Sequence, residues 1–245
     1  MTELSRSFLR LLPLALCVIG AGAAPVINEI MFRPGPGYPE NTALEFVELH
    51  NPDSAAVDLS GWAITRGVDF TFPSGTILPA GGFLAVAANP TALQSAAGIG
   101  GVLGPWASGT QLANNGETIT LAKPDGAGGW TVVDEVDYAS EGDWAVRTRD
   151  SLGGWSWVTG ADGGGKSLER RNPRLASTNG QNWAASAATG GSPGAANSAY
   201  STDIAPVVTD VRHSPAVPTS ADRVTISCRL TDESAATALA ATLYW

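Results

Sequence analysis

Short runs of β-branched, aromatic and aliphatic residues follow one another along this chain. Each is cut off by Gly, Pro, Asn or Asp, and that punctuation leaves no room for long helices. Residues 26–32 and 44–49 are such runs, followed by Trp62-Ala63-Ile64, 83–86, 118–121 and 131–138. Between them stand turn-forming clusters such as Arg33-Pro34-Gly35-Pro36-Gly37, Asn51-Pro52-Asp53 and Pro124-Asp125-Gly126. Many short strands separated by turns predict an all-β sandwich or barrel. One helix is expected, over residues 91–97, after Asn89-Pro90 and closed by Gly98.

The N-terminus reads differently. Arg6 and Arg10 precede an apolar stretch, residues 11–21 (LLPLALCVIGA), and Ala21-Gly22-Ala23 supplies small residues for cleavage. This is the pattern of a secretory signal peptide over residues 1–23, which predicts a secreted or cell-surface protein. The stretch is too short to span a bilayer, and Pro13 interrupts it. Leu16 before Cys17 is bulkier than a lipid-attachment site takes. Removal of the leader leaves Cys228 as the one cysteine, so no internal disulfide is expected. Within residues 224–230 Cys228 is expected to be a buried strand residue rather than a catalytic thiol.

The net charge of −9 argues against nucleic acid, which needs clustered Lys and Arg, and against attraction to anionic lipid. With 44% hydrophobic and 15% charged residues the composition is that of a folded chain. Residues 139–199 read as irregular, yet contain Trp144, Trp155, Trp157 and Trp183, which suggests a segment pinned to a core. Residues 199–206 read as a linker. From Val207 a second module opens with strand signals near 207–211, 224–230 and 241–245. Three strands are too few for a sandwich of about seven, so this part is expected to be a truncated module of a longer protein.

Asn28-Glu29-Ile30, the segment 45–51 (EFVELHN) and Asp58-Leu59-Ser60-Gly61-Trp62 together resemble a lamin-tail domain. The resemblance continues through Leu78-Pro79-Ala80-Gly81-Gly82 and residues 112–121 (LANNGETITL). It reaches Lys166-Ser167-Leu168-Glu169-Arg170 and residues 191–197 (GSPGAAN), a tail similar to the bacterial versions, and so covers about residues 25–198. The resemblance implies an immunoglobulin-like β-sandwich with its core at about 25–138 and a Trp/Gly-rich extension. The incomplete module over 207–245 is expected to be immunoglobulin- or fibronectin-III-like. It also implies a binding or tethering unit of exported multidomain bacterial proteins, found beside nucleases, phosphoesterases or spore-coat-kinase-like modules. Two physical signals agree with it: Asn114-Asn115-Gly116 is a tight-turn sequence, and Trp62 is the expected large core anchor.

Several motifs suggest chemistry and are weighed against plainer readings. Residues 160–167 (GADGGGKS) fit the phosphate-binding pattern G-x-x-x-x-G-K-[ST]. That chemistry needs a buried strand before the loop and a helix after it. Here Pro173 follows closely, so a Gly-rich turn into a short strand over 166–170 is expected. Asp134, Glu135, Asp137, Glu141 and Asp143 raise the question of calcium, but without a D-x-D-x-D-G loop a solvated edge is the default. Glu29, Glu45 and Glu48 lie in strands, where they can pair with arginines or face a groove. Paired carboxylates do glycosidase chemistry only at a defined separation. His50 and His213 fall in different modules, offer no zinc spacing or triad, and read as surface or turn residues. Trp106, Trp130, Trp144, Trp155 and Trp157 lie in loop-like stretches and are candidates for an aromatic binding platform, with burial the plainer reading.

No catalytic, cofactor or metal residues are assigned. The expectation is a non-catalytic binding or tethering module with a protein or polysaccharide partner at the cell surface. The alternative is an accessory domain of an enzyme whose catalytic module lies beyond Trp245.

Overall fold

The structure, a computed structural model, describes residues 24–35, 41–233 and 239. The leader expected over 1–23 and the third strand expected over 241–245 lie outside the described residues. The first run of strands is β1 (Val26–Met31), β2 (Phe46–His50), β3 (Val57–Asp58), β4 (Ala63–Arg66), β5 (Phe70–Thr71), β6 (Ile77–Leu78) and β7 (Phe83–Ala87). Helix α1 (Pro90–Ala97) follows, then β8 (Gly116–Pro124), β9 (Trp130–Ala139), β10 (Val146–Arg149) and β11 (Trp155–Val158). The last are β12 (Leu168–Arg170), β13 (Trp183–Ala185), β14 (Val207–Ser214) and β15 (Thr225–Thr231).

Two antiparallel sheets enclose the core. One has the order β13-β12-β1-β2-β7, the other β5-β4-β8-β9. Alternation along the strands explains why they face each other. In β2, Val47 and Leu49 point inward and join Ile27 and Ile30 of the same sheet and Phe32 just after β1. Ile64, Ile119, Leu121, Val136 and Tyr138 meet them from the opposite sheet. The large anchors are Phe32, Phe72 and Tyr138. Trp62, expected as the anchor, only packs half-buried against this core, because it lies beside the turn at Gly61 just before β4 begins.

The outer face of the five-stranded sheet is covered as well. Helix α1 lays Leu93 on Met31, Phe46, Ala85 and Ala87, and burying that leucine contributes about 1.5–3 kcal/mol. Asn89 caps the helix by accepting from the Ala92 amide at 3.1 Å, and Gly98 closes it with φ 68°.

A buried ion pair fastens one sheet to the other. Asp134 of β9 accepts from Arg170 of β12 at 2.9 Å, from the Ile27 amide of β1 at 2.8 Å and from the Ser177 hydroxyl at 2.8 Å. Arg170 also donates to the Ile27 and Leu175 carbonyls at 3.1 and 2.6 Å. Asp134 therefore does not lie on a solvated edge: its side chain is 11% exposed and that of Arg170 3%.

The stretch 139–199, expected to be irregular, contains two hairpin-like pairs. β12 and β13 extend the first sheet beyond β1, whereas β10 and β11 pair only with each other. Trp183 is buried and Trp144 packs on it at 5.8 Å, so half of the expected tryptophan pinning is present. Trp155 and Trp157 are exposed instead. Cys228 is also exposed, contrary to expectation, because among the described residues β14 and β15 form a two-stranded sheet with no second sheet packed over that position.

Asp134→Ala leaves the buried guanidinium of Arg170 without its counter-charge. The expected loss is about 3–5 kcal/mol of stability, read from urea unfolding midpoints, and an unchanged midpoint contradicts the role given to the pair.

Candidate functional site

The densest polar cluster lies on the outer face of the five-stranded sheet. A register shift between Ile27 and Glu29 turns both Asn28 and Glu29 outward. Glu29 then stands opposite Glu48 of β2 on one side and Glu169 of β12 on the other. Three glutamates thus form one row across three adjacent strands, and all three are buried. Like charges directly opposite one another destabilise a sheet, so this row needs compensation.

The C-terminal tail of the sandwich supplies it. The Ser192 amide donates to Glu29 at 2.8 Å, and the Ser192 hydroxyl lies between Glu29 and Glu169 at 3.3 and 2.8 Å. The Gly194 amide donates to Glu48, which also accepts from the Asn28 side chain at 3.2 Å. The Ser198 hydroxyl and the Ala199 amide both donate to Glu169 at 2.7 Å. Asn197 pairs side chain to side chain with Asn28 at 2.8 Å and donates to the Asn28 and Arg170 carbonyls. Gly191 must be glycine: with φ 74°, an added Cβ would fall within 2.0 Å of the Glu29 carboxylate.

Ser167 completes the cluster and disposes of the phosphate-loop reading. Its hydroxyl donates to Glu29, so it is engaged in the core, and no helix follows it. The strand before the loop, β11, is exposed along its whole length. The Lys166 amide bonds back to the Gly160 carbonyl at 3.1 Å, closing the turn, and a short strand does follow.

Burial, and for Glu48 also the neighbouring Glu29 charge, drives Glu29 and Glu48 toward their neutral forms. Glu29 is pushed up to about 7, chiefly by burial, against the lowering effect of Ser167 and Ser192. Glu48 is pushed up to about 8. Glu45 lies apart from this row and accepts from the Leu112 amide at 3.0 Å. The row is sealed under backbone, so its chemistry is to hold a tail rather than to attack a glycoside.

Two cavities flank the tail. One, of about 510 Å³, lies between α1 and residues 189–193, over Met31 and Phe46. The other, of about 330 Å³, is lined by Asn28, His50, Phe83, Arg174, Asn197 and Tyr200. His50 is thus no simple surface residue. It ends β2, stacks on Phe83 at 4.4 Å, and burial with nearby Arg170 and Arg174 holds its pKa down. His213 is exposed on β14.

The remaining acidic candidates do not converge. Glu135 pairs with Thr120 at 2.8 Å, Asp137 with Thr118 at 3.1 Å and Asp143 with Gln181 at 3.2 Å. Among the described residues no group of His, Cys, Asp or Glu is arranged to hold a metal ion. Of the tryptophans proposed for a platform, Trp106 is buried and Trp144 partly so, while Trp130, Trp155 and Trp157 are exposed. Sequence reasoning gave no role to Glu169 or Ser192. No sequence signal marks them, because Glu169 meets Ser192 and Ala199 only through the folded tail.

Two antiparallel sheets packed face to face, with their polar cluster taken up by internal hydrogen bonds, define an immunoglobulin-like β-sandwich. Residues 20–140 match the family model described as Lamin Tail Domain, and the chain carries a domain of that non-catalytic, immunoglobulin-like family. Neither the curated proteins nor the solved structures give a match. The matched span ends before β12, β13 and the tail, although β12 pairs directly with β1.

The raised carboxyls make stability depend on pH. Folding favours the protonated forms, so their stabilisation is complete below the ordinary value of 4.5 and is lost as pH rises through about 7 and about 8. The thermal midpoint is expected to fall from about pH 5 to about pH 9. Glu48→Gln, which mimics the neutral acid, flattens that slope and stabilises the alkaline side. A midpoint that rises with pH contradicts the assignment.

Proposed function

We propose that the chain is a non-catalytic binding and tethering module of an exported bacterial protein, with a protein or polysaccharide partner at the cell surface. The observation that carries this reading is the use of its buried carboxylates. Glu29, Glu48 and Glu169 serve the chain's own tail, so the most reactive-looking cluster is structural. Membership in a non-catalytic domain family supports the same reading, as does a leader of secretory type at residues 1–23. Among the described residues no helix is long and apolar enough to cross a membrane.

In the same reading the β14–β15 hairpin opens a second sandwich module, which follows the first through residues 199–206. Tethering and service to an enzyme are compatible, because a module that holds a surface also holds whatever is joined to it.

Two measurements test the reading. In a secreting bacterial host the released chain is expected to begin at Ala24, read by mass spectrometry; a cytoplasmic product beginning at Met1 overturns export. The whole chain, fused to a fluorescent protein, is expected to co-sediment with isolated cell envelopes and to be displaced by an excess of unlabelled chain. Failure to sediment, or sedimentation that unlabelled chain does not displace, overturns tethering.

A further inference from the structure

The β10–β11 hairpin stands apart from both main sheets, with every residue of its strands exposed. Residues two apart on a strand share a face. The register sets Arg147 opposite Trp157 and Arg149 opposite Trp155. One face of the hairpin is therefore made of two arginines and two tryptophans, and the other of Val146, Thr148, Ser156 and Val158. The Arg147 guanidinium lies 4.3 Å from the Trp155 ring centre and 6.0 Å from that of Trp157; Arg149 lies 5.5 Å from Trp155. These contacts set the guanidiniums against the indoles, so cationic and aromatic groups share one exposed face.

Charge on this face is not balanced from within. Asp150, the acid closest in sequence, accepts from the Leu152 and Gly154 amides at 2.9 and 2.7 Å and so closes the turn. Among the described residues neither Arg147 nor Arg149 forms an ion pair with a carboxylate. A cationic, aromatic face therefore projects from a chain of net charge −9. Trp155 and Trp157 remain 56% and 43% exposed, although Trp144 and Trp183 nearby are used in packing.

We propose that this face binds an acidic polysaccharide, with sugar rings lying on Trp155 and Trp157 and carboxylates meeting Arg147 and Arg149. The inference rests on the binding-module reading above and gives it a site and a ligand class. Sugar rings present C–H faces that stack on exposed indoles while their hydroxyls stay in water, so no enclosed pocket is needed. Trp155 and Trp157 stand two positions apart on β11, about 6.5–7 Å along the backbone, so both indoles lie within reach of one polymer chain. Arginine forks take carboxylates in bidentate fashion. A nucleic acid would ask for a denser cationic footprint than two side chains on an acidic protein. A bilayer would ask for an apolar tip, whereas the turn at residues 150–154 (DSLGG) carries Leu152 alone.

The test is affinity measurement on the whole chain with polygalacturonate as probe. Neutral dextran, anionic phospholipid vesicles and oligothymidylate serve as comparators. Polygalacturonate is expected to bind, more weakly as salt rises. The double substitution W155A/W157A is expected to weaken binding at least about tenfold, the loss of roughly 1.4 kcal/mol or more of stacking. R147Q/R149Q is expected to weaken it and remove most of the salt dependence. Both variants should keep the parent unfolding midpoint, since the hairpin supports no core. If the tryptophan pair proves to be needed for folding, the arginine pair carries the test alone. Undiminished binding in the folded variants, or tighter binding to vesicles or oligothymidylate than to polygalacturonate, overturns the proposal. Envelope retention without polygalacturonate binding removes this site and leaves tethering standing. Polygalacturonate binding without envelope retention does the reverse.

Discussion

Glu29, Glu48 and Glu169 stand abreast on one face of a sheet, out of water, and each would cost several kcal/mol there if left with its charge unanswered. They are answered by hydroxyls and amides from Ser167, Ser192, Gly194, Ser198 and Ala199, and by protons that the site itself retains. The dependence runs both ways. Residues 186–199 (SAATGGSPGAANSA) contain no large apolar side chain, so hydrophobic burial cannot hold them to the sheet. Their order comes from the carboxylates, and the carboxylates are tolerable because of them.

Around this row the sandwich divides its labour. The inner faces supply ordinary apolar packing. The edge is closed by the Asp134–Arg170 pair, which ties β9 to β1 and β12 and fixes how the sheets meet. The outer face is shared between the apolar patch under α1 and the glutamate row under the tail. With both faces of the first sheet covered, its free surface lies elsewhere, above all on the β10–β11 hairpin.

The strands with strong alternation were legible in the sequence. β1, β2, β7, β8 and β9 all fall where β-branched and aromatic runs predicted them, and α1 begins one residue before its expected start. The all-β sandwich followed from those runs, and the lamin-tail family from motifs along them. The two-residue strands β3, β5 and β6 were not legible, because pairs that short carry no periodicity. The β10–β11 hairpin was missed because its eight exposed positions, four on each strand, alternate Arg or Trp with Val, Thr or Ser, which does not read as a buried face. The role of Asp134 was invisible because Arg170 lies 36 positions away and meets it only through sheet pairing. Cys228 was misread because burial was inferred from its strand, whereas exposure depends on what packs over that strand.

The tail has one more consequence, which concerns time rather than geometry. Glu29 meets Ser192 across 163 positions, Glu48 meets Gly194 across 146, and Asn28 meets Asn197 across 169. The first strand to leave the ribosome therefore meets β2 early but β12 and the tail only late. Contacts of such separation slow folding, because the intervening loop must close before they form. Until residue 170 has emerged β1 lacks its β12 partner, and until residue 199 has emerged the glutamate row lacks its full set of donors.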